Sequence, residues 1–161
     1  MNRIIEYENT YQERKNRYKH KPDTLTCIRD DGSVTWSHIY PGFFLHDLTH
    51  YVVETSLGYN NAFFGLISKG YNIPEFSLPK SERTFNIPDD AISVEPIVAL
   101  LQMEHWDSFP DRLLDKDSQE LPPNVTSELI DNMREKLKEL VEKWEDLLPG
   151  EFLELEFIVN N

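Results

Sequence analysis

The apolar positions of this chain follow two periods, and the change from one to the other sets out the elements. Arg3 to about Tyr11 alternates loosely and can form a strand. TLTCIRDDGSVTWSHI reads as a hairpin. Leu25, Cys27 and Arg29 point one way before the turn, and Val34, Trp36 and His38 alternate likewise after it. Asp31-Gly32 supplies the positive-φ pair of a tight two-residue turn. Pro41-Gly42 breaks the strand, and a helix is expected from about Phe43 to Leu57 with Gly58 at its C′ position. A second, short helix should run from Asn61 to Lys69, closed by Gly70.

Residues 71–90 are proline-rich and irregular, long for a loop, and fit a segment that wraps the surface or covers a site. A third helix starts between Asp89 and Val94 and ends near Trp106. Pro96 fits its first turn if Ser93 is the cap and lies inside it if the start is earlier. After another polar connection, Thr126 or Ser127 caps the longest helix, which runs to about Leu148. Its Ile130, Met133, Leu137, Leu140, Trp144 and Leu147 form one apolar stripe. A helix laid across a sheet is the favoured reading of that stripe. The alternative is a homodimer paired through the 127–148 helix as a coiled coil. Pro149-Gly150 ends the helix, and EFLELEFIV has the composition of a strand that returns to the N-terminal sheet. The expected fold is α+β: a small antiparallel sheet of N-terminal strand, hairpin and C-terminal strand, with three or four helices on one face. The 161 residues fit one domain.

Composition narrows the partners. Sixteen Lys and Arg against 29 Asp and Glu give a net charge of −13, which repels nucleic-acid phosphates and anionic lipid, so neither nucleic acid nor membrane is expected as partner. The first 22 residues run the other way, with Arg3, Arg14, Lys15, Arg17, Lys19 and Lys21 among tyrosines. A strand edge guarded by cations explains them more simply than single-stranded nucleic-acid binding. No apolar run reaches the ~20 residues of a membrane span, and no signal-peptide core is visible. The single cysteine, Cys27, reads as a small buried hydrophobe, and a cytoplasmic location is expected.

The chemistry concentrates in HDLTH, residues 46–50. On a helix His46, His50 and Glu54 fall within about 80° of one another, with Asp47 at the edge of the sector. Phe43, Val53 and Leu57 lie among them, so the polar line is partly buried and its atoms need partners. The spacing is that of the zinc-hydrolase signature H-E-x-x-H, in which two imidazoles one turn apart reach one ion. Here Asp47 stands in place of the glutamate that activates metal-bound water. His46-Asp47 also resembles the HD-type phosphohydrolases, but those need further histidines on other helices, and His20 and His38 lie in the strand region.

A metal site on His46 and His50, with zinc the expected divalent ion, is one reading. Asp47 and Glu54 would be its catalytic or supporting acids, and metal-assisted hydrolysis of a small molecule its reaction. Glu54 lies about 12 Å along the axis from His46, which suits it to orient His50 from behind the ion. A third ligand would come from Glu75, Glu95, Glu104 or His105. The other readings are catalysis without metal, and a non-enzymatic interaction module in which the stripe is a structural hydrogen-bond network. No serine or cysteine has a nucleophile-elbow context, and Gly65 and Gly70 are too isolated for a phosphate loop.

The run HDLTHYVVETSLGYNNAFFGLISKGYNI resembles a family of uncharacterised small bacterial proteins with the pattern HDL-x-H-x-x-VE, then LG, then an aromatic pair with FG, then a glycine a few residues on. The match falls on His46, Asp47, Leu48, His50, Val53, Glu54, Leu57, Gly58, Phe63, Phe64, Gly65 and Gly70. It continues at the C-terminus on Trp144, Pro149, Gly150, Glu151, Leu153 and Leu155. Ala62 departs from the glycine of that pattern. The resemblance implies that His46, His50 and Glu54 act as one motif, and it names no reaction.

Overall fold

The computed structural model describes residues 2–8, 23–39, 42–106, 121–148 and 150–159. The basic residues 14–21, the end of the expected first strand and the connection 107–120 lie outside the described residues. Four strands, β1 (Asn2–Glu8), β2 (Asp23–Ile28), β3 (Val34–Ile39) and β4 (Phe152–Ile158), form one antiparallel sheet in the order β3-β2-β1-β4. The C-terminal strand thus returns to pair with the N-terminal one, Leu155 opposite Ile5. The helices are α1 (Phe44–Leu57), α2 (Phe63–Ser68), α3 (Asp89–Trp106) and α4 (Ser127–Glu145), with a short 3-10 helix at Ile73–Ser77. This is the expected α+β architecture.

The hairpin departs from expectation in one respect with large consequences. Arg29 N–H donates to the Ser33 carbonyl and Gly32 N–H to that of Arg29, so the loop has three residues, with Gly32 at φ 81°. Three-residue loops of this kind are a standard alternative to the two-residue turn. The register then sets Cys27 opposite Thr35 and Leu25 opposite Ser37. Thr35 and Ile39 are buried with Leu25 and Cys27, while Val34 and Trp36 stand exposed on the opposite face. A one-residue change in register turns every side chain of a strand over. Arg29 shares the buried face of Leu25 and Cys27, and its guanidinium donates to the carbonyls of Ile67 (2.6 Å) and Tyr71 (2.6 Å), pinning the chain beyond α2 to the hairpin.

Helix α1 is the centre of the molecule. It contacts α2, α3, α4 and β4, and every residue from Leu48 to Glu54 is buried. Tyr51 donates its hydroxyl to the Glu156 carbonyl (2.9 Å), tying the helix to β4. Thr49 and Thr55 turn their hydroxyls back onto the carbonyls of Leu45 and Tyr51, which satisfies them inside a packed helix. Gly58, at φ 68°, ends it as the left-handed cap. Helix α2 is shorter than its sequence suggested, and α3 takes the earlier of its two starts, so Pro96 lies inside it. Helix α4 is capped by Thr126, whose hydroxyl accepts the Leu129 N–H. Its stripe is spent inside the chain: Ile130, Met133, Leu137, Leu140 and Trp144 are buried, and Trp144 stacks on Phe44 of α1. The stripe is therefore used within the chain, and the structure gives the expected homodimer through residues 127–148 no support. Among the described residues no helix is long and apolar enough to cross a membrane.

Candidate functional site

A cavity of about 1000 Å³ opens between the β2–β3 end of the sheet, α1 and α3. Its wall is mainly apolar and includes Leu25, Ile39, Phe63, Ile73 and Phe76. Ile73 and Phe76 come from the 3-10 helix and Ile87 from the irregular chain after it, so part of 71–90 borders this cavity. Phe43, Ile87 and Ile92 line it and are also exposed, which puts them at the rim. Four polar groups of the wall gather where α1 meets α3, His46, Asp47, His50 and Glu95, while Ser37 and His38 of β3 and Ser77 of the 3-10 helix line it elsewhere.

His50 is held from both sides. Its Nδ1 lies 3.4 Å from Glu54 Oε1 and its Nε2 lies 3.3 Å from Glu95 Oε1. Burial opposes a charge on the ring, but hydrogen bonds to the two carboxylates and their charges outweigh it and raise the pKa to about 9. His50 is thus an imidazolium at neutral pH. The stability it contributes is complete below the ordinary histidine range, about pH 6.5, and is lost as pH rises through about 9. Glu95 is drawn below the usual carboxylate range by its hydrogen bond to His50.

Glu54 stands behind His50 and has no solvent exposure. Its Oε2 accepts the Phe64 N–H (2.9 Å), and its carboxylate also meets the Gly65 N–H. Those are amides of the first turn of α2, whose N-cap residue, Ala62, has no side chain to satisfy them. Burial pushes the Glu54 carboxyl upward, while His50 and the two amides pull it down. Gly65 is required for this approach: a Cβ there would lie 2.4 Å from the carbonyl carbon of Asn60. His50, Glu54, Phe64 and Gly65 are thus parts of one joint between α1 and α2, a physical reason for the spacing of HDLTH, VE and FFG.

His46 stacks edge-on against His50 with ring centroids 4.6 Å apart. Its Nδ1 faces Gln102 Oε1 at 3.4 Å, which makes Nδ1 the donor and leaves a lone pair on Nε2. Burial and the charge on His50 both hold its pKa below the ordinary value, so this ring is neutral. Asp47 lines the cavity, and its carboxyl has no hydrogen-bond or ion-pair partner among the described residues. Burial raises it to about 7, against the opposing pull of His50. Cys27, buried and close to Asp47, is pushed up to about 12 and is inert as a thiol.

The raised Asp47 predicts a pH dependence. Below about pH 4 the carboxyl is protonated in folded and unfolded chains alike. Between about 4 and about 7 the unfolded chain loses the proton first, so stability falls as pH rises. Asp47→Asn should therefore gain about 1–3 kcal/mol of unfolding free energy at pH 8 and almost nothing at pH 3.5, read by urea denaturation at both.

Of the ligand candidates named from sequence, Glu95 alone reaches the histidines. Glu104 is held by a bidentate bond to Arg134, Glu75 caps the 3-10 helix, and His105 is exposed on α3. Among the described residues no three His, Cys, Asp or Glu side chains stand in an arrangement that could hold a metal ion. Glu54 is walled off from the cavity by His50 and is placed to position that ring rather than to touch a ligand. No family model matches the chain, and no curated protein or solved structure matches it.

Proposed function

We propose that this chain binds a small, mostly apolar molecule in the cavity and presents to it a proton-exchanging pair, Asp47 and His46. The observation that carries this reading is an unpartnered carboxyl set in the wall of a large apolar cavity. A carboxylate without a hydrogen bond is costly in such a place, and a folded chain has little reason to keep one except for what enters. A carboxyl near pKa 7 beside a neutral imidazole can exchange protons with a bound molecule at neutral pH. Isomerisation or elimination next to a polar group is the reaction class this pair could serve. His50, clamped by Glu54 and Glu95, holds that wall in shape.

Nile red, a neutral apolar dye, tests the binding. Its fluorescence should rise saturably with wild-type protein, and Ala91→Trp, which fills the cavity from α3, should weaken the dye by about tenfold or more. No saturable signal, or equal affinity in the filled variant, contradicts the proposal.

A second reading keeps the divalent metal, zinc foremost, on His46 and His50. The 4.6 Å ring separation favours it, and so does the placement of Glu54 behind Nδ1 of His50, the arrangement that orients metal-bound histidines. It requires Glu95 to move from Nε2 of His50 into a ligand position, a motion its 58 % exposed side chain allows. Asp47 would then be the base of a metal-dependent hydrolase. Calorimetric titration of zinc into the apo protein, with His46→Ala as control, separates the two. Saturable binding lost in the variant supports the metal, and its absence leaves the cavity reading.

A further inference from the structure

Resting on the cavity reading, we infer that the ligand is a cationic amphiphile: an apolar body, aliphatic or aromatic, carrying one primary ammonium that docks at the end of the cavity lined by Asp47 and Glu95. The groups that the polar end of the cavity turns to a ligand are acceptors. Asp47 has no donor of its own, Glu95 has a second oxygen beyond the one facing His50, and His46 has a free lone pair on Nε2. A primary ammonium brings three donors to these groups.

An anionic head finds no counterpart there. The described lining contains no Lys or Arg, and its remaining histidine, His38, comes from β3 and not from the α1–α3 corner. The one cation at this end, His50, has both ring nitrogens turned to Glu54 and Glu95 and none left to donate. With His50 at +1 and Glu54, Glu95 and ionised Asp47 at −1 each, the cluster sums to −2. A bound ammonium halves that charge. Phe63 and Phe76 on the same wall suit an apolar body. The net charge of −13 adds a long-range attraction of the same sign.

Three probes that share a skeleton isolate the head group: 4-phenylbutylamine, 4-phenylbutanol and 4-phenylbutyric acid, titrated calorimetrically into the full chain at pH 7.5. The amine is expected to bind about tenfold more tightly than the alcohol, and the acid more weakly than both. Asp47→Asn should remove most of the amine's advantage over the alcohol, read as the ratio of their two Kd values in variant and wild type. Glu95→Gln, on an exposed position of α3, should reduce it in the same direction. Alcohol binding equal to or tighter than amine binding overturns this inference and leaves the cavity reading standing. No binding by any of the three overturns both.

Discussion

Replacing Glu54 with alanine is expected to destabilise the fold by about 3–5 kcal/mol, the range found when one partner of a buried ion pair is removed. Three losses add in one place. His50 loses the carboxylate on Nδ1, the Phe64 and Gly65 amides lose their acceptor, and a space the size of a carboxymethyl group opens in a region with no solvent exposure. Glu54→Gln should cost less, because its amide oxygen can still accept the Phe64 N–H. Urea denaturation at pH 7 gives the order: wild type, then Gln, then Ala. The same variants carry a second signature. With Glu54 neutralised, only Glu95 remains to hold the proton on His50, so the imidazole should titrate well below the wild-type value of about 9, as read by NMR of the ring carbons. Loss of stability with no change in the titration of His50 would mean that Glu54 serves packing alone.

Gly65→Ala should be about as damaging, on the order of 3 kcal/mol or more. The added methyl group meets the backbone of Asn60, its carbonyl carbon and oxygen both at 2.4 Å, and backbone cannot turn away as a long side chain can. Relief requires α2 to move off the 60–62 loop, which pulls Phe64 N–H from Glu54 and shifts Phe63 in the cavity wall. The variant should therefore lose dye binding along with stability. Gly70→Ala, at φ 111° but with open space around it, should cost less and leave the cavity unchanged. Equal behaviour of the two variants would show that the close approach at Asn60 does not matter.

The parts of the fold that could be read from sequence are those governed by local rules. The spacing of Ile130, Met133, Leu137 and Leu140 defines α4, and Gly58 marks the end of α1 because a left-handed cap favours glycine. The face of β3 misled for a physical reason. A two-residue turn at Asp31-Gly32 aligns Trp36 with Cys27, whereas the three-residue loop aligns Thr35 with it, and Trp36 is left outside. The stripe of α4 shows the converse: its period fixes the helix but not the partner, and Trp144 found Phe44 of the same chain.

The site follows the same division. His46, His50 and Glu54 share a helix, so their proximity is a matter of period, and the placement of Glu54 behind His50 followed from its distance along the axis. Glu95 is 45 positions from His50, and nothing local distinguishes it from Glu75 or Glu104. Only the packing of α3 on α1 selects it. The second task of Glu54, capping α2, was equally hidden, because the sequence sets polar Asn60 and Asn61 where a cap is expected, whereas the helix opens at Phe63 behind Ala62.

The most direct test of the central claim is a chemical-shift titration of labelled protein with 4-phenylbutanol, a neutral ligand that isolates the cavity from its charge. The account predicts saturable shifts at Phe63, Phe76, Ala91, Ile92 and the His46 ring, with none on the outer face of α4 at Glu139 or Lys143. Shifts confined to the exposed sheet residues Val34, Trp36 and Phe152, or none at all, would contradict it.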